Sequence, residues 1–166
     1  MTIRPSRSPS AVLPVSSFEI ANRLFFRLYQ ASNLLHKTGT RAVSDYGATT
    51  QQWAVLGALA RSAVLGEGLS IKQLLEYLLV SRQNLTPVLD RLETAGLVER
   101  VRDDGDGRKR QIRLTANGRD VWGRMRGDIE RYYASALEGF SLEESFLLMR
   151  LLERLGKGLE RLDGLS

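Results

Sequence analysis

The chain has no cysteine and a single histidine, His36. The first absence removes disulfides, thiolate metal sites and cysteine nucleophiles. The second removes multi-histidine metal sites and leaves any Ser-His-Asp arrangement dependent on one imidazole. No cofactor or metal is therefore expected. Proline is almost confined to the start, where Pro5, Pro9 and Pro14 alternate with serine and arginine. That composition cannot bury itself, so residues 1–15 are expected to form a disordered basic tail. No apolar run approaches the roughly 18 residues that a membrane span needs. The basic N-terminus also lacks the apolar stretch of a secretory signal. The expected location is the cytoplasm, with no membrane partner.

What is present is enough for one domain, or a small domain with a long helical appendage: 166 residues, 43% hydrophobic and 26% charged. The net charge of +5 and pI of about 9.9 favour a polyanionic partner. Much of that charge gathers in the stretch Leu97 to Thr115. Here Leu97, Val101, Ile112 and Leu114 alternate with charged neighbours, which predicts two half-buried strands. Between them Asp103-Asp104-Gly105-Asp106-Gly107 suits a hairpin tip. Arg100, Arg102, Arg108, Lys109, Arg110 and Arg113 crowd onto this ribbon, which is either a phosphate-contacting element or a solvated surface hairpin.

Its neighbours decide between those readings. Ser16-x-x-Glu19 is a capping box that opens a long helix, expected to run to about Asp45 and to end at Gly47. About 30 helical residues span roughly 45 Å, more than one small domain covers, so part of the apolar face should meet a second copy of the chain. Thr49-x-x-Gln52 caps a second helix and Ser70-x-x-Gln73 a short third, Ile71 to Leu79. Ser81 caps a fourth that opens Arg82-Gln83-Asn84. Two short helices joined by a tight turn, then a charged hairpin, is the winged helix-turn-helix pattern. Arg82, Gln83, Asn84 and Thr86 sit where base edges would be read, with Ser81 and Arg91 flanking them. Pro87 falls in the second turn and predicts a loosened or 3₁₀-like start that re-aims Arg82 to Asn84.

Thr115 caps a fifth helix to about Leu137, and Ser141-x-x-Glu144 opens a leucine-rich last one. Gly123, Gly127, Gly156 and Gly158 weaken these two in isolation, so tertiary or intersubunit packing has to compensate, and close backbone approach at a dimer interface is one reason to keep glycine there. The fold class expected is mostly α with a small antiparallel β wing (α+β). Residues 48–115 form the winged domain; 16–47 and 116–166 form a helical dimerisation region.

The order of these parts resembles the MarR-type transcriptional regulators. Asp106-Gly107-Arg108, followed after Lys109 to Arg113 by Leu114-Thr115, is similar to that family's wing signature. Thr49 to Leu56 resembles the opening of its second helix. Ser81 to Thr86, with Leu89 to Glu93 and Gly96-Leu97-Val98, resembles its recognition helix and exit. Pro87 departs from the usual pattern. The resemblance implies a homodimer on a pseudo-palindromic operator in double-stranded DNA, acting as a repressor. It implies that Arg108 enters the minor groove, with Lys109 and Arg110 beside it, and that Asp106 holds the wing in shape. It also implies release by a small aromatic carboxylate or its coenzyme A thioester, bound between dimer helices and winged domain. Arg23, Arg27, Asn33, His36, Tyr46 and Trp53 offer the cations and rings for such a pocket. Two other readings stand beside this one. One is a winged protein-docking module without DNA. The other is a hydrolase using His36 beside Ser44 or Asp45, which no nucleophile-elbow pattern supports.

Overall fold

The computed structural model describes residues 16–61, 66–102 and 110–163. The expected tail, and Asp106, Arg108 and Lys109 with the roles assigned to them, lie outside the described residues.

Among the described residues, six α-helices and three short strands follow one another in a single order. They are α1 (Ser17–Ala42), α2 (Thr50–Leu59), β1 (Leu69–Ser70), α3 (Ile71–Leu78), α4 (Arg82–Thr94), β2 (Val98–Arg102), β3 (Arg110–Leu114), α5 (Ala116–Ala136) and α6 (Leu142–Asp163). Their starts are set by the short polar motifs read from the sequence. The Ser16, Thr49 and Ser70 hydroxyls each accept from the backbone N–H three residues on, and the Glu19, Gln52 and Gln73 side chains return the bond. Ser141 and Glu144 exchange the same pair of bonds ahead of α6. The Ser81 and Thr115 hydroxyls accept from Asn84 and Gly118.

Three expectations need correction. Helix α1 ends at Ala42, and the chain tightens into a single 3₁₀ turn, Ser44–Tyr46, before Gly47. The cause is local: Val43 turns fully into the core, and the Ser44 hydroxyl bonds the Arg41 carbonyl at 2.8 Å. The wing is a three-stranded sheet, not a two-stranded hairpin. Strand β1 pairs antiparallel with β3, in the order β1-β3-β2. Gly68 makes that pairing possible, because a Cβ there would lie 2.4 Å from the Ile112 carbonyl oxygen. Finally, α4 runs unbroken from Arg82 through Thr94 with Pro87 inside it. Pro87 has no N–H to give the Gln83 carbonyl. The ring lies on the exposed side, while Leu85, Val88, Leu89 and Leu92 anchor the other side in the core.

The core sits inside the winged unit. Leu56 and Leu59 from α2, Leu74 from α3, Leu89 and Leu92 from α4, and Ile112 from β3 meet Met125 of α5. Gly118 lets α5 start hard against the wing: a Cβ there would lie 1.9 Å from the Leu97 carbonyl oxygen. No residue of α6 from Leu142 to Leu162 is buried, and α1 buries only Gly39. Among the described residues, no helix is long and apolar enough to cross a membrane.

Candidate nucleic-acid interface

Helix α3 ends at Leu78, and Leu79 takes a left-handed conformation (φ 52°) that swings the chain into Ser81 and α4. The core residues of α4 recur at positions 85, 88, 89 and 92, so everything between them faces out. Arg82, Gln83, Asn84, Thr86 and Arg91 are all exposed, and neither Arg82 nor Arg91 has an ion-pair partner among the described residues. Arg82 sits where backbone N–H groups point outward and the helix dipole favours an anion. Two hydroxyls in this group are already partly used. Ser81 Oγ accepts from the Asn84 N–H at 3.3 Å, and Thr86 Oγ1 donates to the Arg82 carbonyl at 2.9 Å. The Ser81 hydroxyl proton is not used in its bond to Asn84, and Thr86 presents its methyl and lone pairs.

The wing lies beside α4 and is fastened to it. The Arg100 guanidinium donates to Asp90 Oδ1 at 2.6 Å and contacts Glu93 Oε2 at 3.1 Å. Arg113 Nε bonds Glu99 Oε1 at 2.8 Å across β2 and β3. Two of the six cations counted on the ribbon are therefore committed, Arg100 to holding α4 and the wing in one orientation and Arg113 to joining β3 to β2. The sequence carried a signal for the first: Asp90 and Glu93 stand one helical turn apart, facing the strand that returns. Arg110 remains exposed at the start of β3.

The residues expected to hold an effector do not converge. Arg23 and Arg27 lie on an exposed stretch of α1, with Arg27 bonded to Gln30. Thirteen residues, roughly 20 Å of helix, separate Arg23 from His36. Asn33 is exposed on the same helix. His36 borders a cleft of about 290 Å³ with Thr40, Thr49, Thr50 and Gln51. Trp53 is a core residue, edge-on to Tyr132 at 5.9 Å and tilted against Tyr133 at 5.6 Å. The Tyr46 hydroxyl donates to Asp128 Oδ2 of α5 at 2.5 Å. That bond pushes the phenol above its usual range, and it holds the Asp128 carboxyl below the usual carboxylate range, with Arg131 assisting. A second cleft, of about 300 Å³, opens between α2 and α5.

Comparison with known proteins places this geometry. The model of the MarR family matches residues 46–109. The chain is 48% identical over 149 residues to the transcriptional activatory protein BadR of Rhodopseudomonas palustris, covering 89% of this chain and 85% of that one. It is 32% identical over 111 residues to the homoprotocatechuate degradative operon repressor of Escherichia coli, covering 67% and 72%. Among solved structures, AbfR of Staphylococcus epidermidis superposes with a TM-score of 0.72 at 26% identity, over 87% of this chain and 95% of that one. Reduced AbfR bound to DNA superposes at 0.68 and 27% identity, over 86% and 95%.

Proposed function

The chain belongs to the MarR family of transcriptional regulators, and on that premise we propose that it binds a pseudo-palindromic operator as a ligand-responsive homodimer. The observation that carries this is the exposed face of α4, where Arg82, Gln83 and Asn84 stand unshielded beside a clamped wing. Arg forks onto guanine and Gln or Asn onto adenine, so the cluster has the chemistry of direct readout. Arg91, Arg110 and the Arg108-Lys109 pair supply phosphate and minor-groove contacts, with Asp106 shaping the wing. Residues 48–115 are the DNA-binding unit, and α1, α5 and α6 are the dimerisation region. The apolar side chains standing open on α1 and α6 support a second copy as their cover.

The effector class we propose is a small aromatic carboxylate or its coenzyme A thioester. Support comes from relatives whose names attach them to aromatic breakdown: the 32% relative is a homoprotocatechuate degradative operon repressor. Repression results when such a dimer sits across a promoter. Activation is a second reading, favoured by the name of the 48% identical relative, an activatory protein.

Selection of bound sites from random duplex DNA tests the proposal. A palindromic motif should emerge, with affinity falling steeply as salt rises. Arg82→Ala or Gln83→Ala should cost about 1–3 kcal/mol at one base position, while Arg91→Ala should weaken all sequences alike. A protein-docking module would show neither the motif nor the salt slope.

A further inference from the structure

Large apolar side chains left open to water are not scattered over this protein. Most stand on α1, α6 and the end of α5, where a second copy is proposed to cover them. Among the described residues between 48 and 115, those standing open are Tyr77, Leu79 and Val80. All three lie at the end of α3 and in the bend that leads to α4.

Tyr77 has a use within the fold, because the Arg61 guanidinium lies over its ring, 4.4 Å from the centroid. Leu79 does not. Its N–H closes α3 by donating to the Leu75 carbonyl, a bond that any residue but proline can make. It does so at φ 52°, a conformation that glycine takes freely and leucine takes at a cost. The side chain is 58% exposed, so burial does not offset that cost. Glycine would close the helix equally well and leave nothing apolar in water. A leucine that is both strained and wet points to a contact outside the chain.

Its place in the chain says which contact. Leu79 and Val80 immediately precede Ser81, the cap of α4, and Arg82, Gln83 and Asn84 stand exposed on the turn that follows. The apolar patch is thus continuous with the end of α4 that carries the base-reading chemistry. In the major groove, base pairs offer hydrogen-bonding atoms and one apolar group, the C5 methyl of thymine. Arginine and the two amides match the first kind of group, and a leucine beside them matches the second. We propose that Leu79 is a specificity-determining residue that packs on a thymine methyl in each half-site, with Val80 widening the contact. This rests on the operator reading above and adds one base to it. The positive φ then has a purpose: it sets an apolar side chain outward at the start of the reading helix.

The test uses the full chain and a duplex selected from random DNA. Each thymine in turn is replaced by 2′-deoxyuridine, which removes the methyl and leaves base pairing intact. At one thymine per half-site, wild type should lose about fourfold in affinity, the value of one methyl group withdrawn from contact. Leu79→Gly suits the turn, so its urea midpoint should equal or exceed that of wild type. It should bind the parent duplex about fourfold more weakly per half-site and be indifferent to deoxyuridine at that position. Leu79→Met keeps an apolar side chain and should keep the thymine dependence. A wild type indifferent to every deoxyuridine overturns the proposal, as does a Leu79→Gly variant with the full thymine dependence. Either result, on a duplex still bound specifically, leaves the operator reading standing. Failure to select any duplex sinks that reading and this inference with it.

Discussion

Leu56, Leu74, Leu92 and Ile112 in the winged unit are fully shielded from water, whereas Phe18, Phe146 and Leu152 on α1 and α6 are 75%, 55% and 46% exposed. The two regions use the same apolar residue types. The difference lies in what faces them. In the winged unit three helices and a sheet surround one core within a short stretch of chain. Helices α1 and α6 are too long and too far from that core for one chain to cover. Their apolar stripes are complete as amphipathic designs and incomplete as packed ones. Stability in the winged unit is thus an internal property, while in the proposed dimer that of the outer helices would depend on the second chain and so on concentration.

The largest effect should come from attacking the outer helices. Replacing Leu151 and Leu152 of α6 by glutamate places charge on the open face and leaves the winged core untouched. Sedimentation should then show monomers. Affinity for a selected duplex should fall by about 100-fold or more, because two linked half-site contacts become one. A double variant that remains dimeric would move the interface elsewhere.

Next in size is a pair of glycines on the same helix, one at the wing and one away from it. Gly118→Ala would drive a methyl into the Leu97 carbonyl and should cost roughly 2–3 kcal/mol of unfolding free energy in urea. Gly123 has nothing within 4 Å of its Cβ position, so Gly123→Ala should stabilise by up to about 1 kcal/mol. Equal responses would mean that the wing end of α5 is looser than the Leu97 contact implies.

These glycines also mark what the sequence discloses and what it hides. Caps are legible because they are written within four residues: Ser16-Glu19, Thr49-Gln52, Ser70-Gln73 and Ser141-Glu144 each formed as spelled. Strand β1 was not legible, since two residues carry no period, and Gly68 explains itself only once β3 lies against it. Nor were the ion pairs of Arg100 and Arg113, because each finds its partner on another element. Pro87 misled because a proline's cost depends on which side of the helix it faces. The α2–α5 cleft joins Arg61 to Trp122 and Tyr133, some sixty to seventy positions apart, and no local motif announces it.

A smaller effect lies in the turn between α3 and α4. Leu79 holds a positive φ while 58% exposed, so it strains the backbone and buries little in return. Leu79→Gly should relieve that strain and raise stability by about 1 kcal/mol, read from the urea midpoint. A loss of stability would mean that the exposed leucine is covered in the assembled protein.

The smallest effect tests the seam where the end of α1 meets α5. Tyr46 gives its proton's bond to Asp128, so the contact needs a neutral phenol and an ionised carboxyl. Asp128 titrates below its usual range, so its contribution is present above the ordinary carboxylate pKa and is lost as pH falls through the depressed one. Tyr46 titrates above its usual range, so its contribution is present below the ordinary phenol pKa and is lost as pH rises through the raised one. Tyr46→Phe should therefore leave a stability gap that is flat between about pH 5 and pH 9 and narrows at both ends. Carboxyl NMR should show Asp128 titrating higher in the variant, though still held down by Arg131. An unmoved Asp128 would assign its ionisation to Arg131 alone and leave the seam to the Thr38–Tyr132 hydrogen bond and the packed rings of Trp53, Tyr132 and Tyr133.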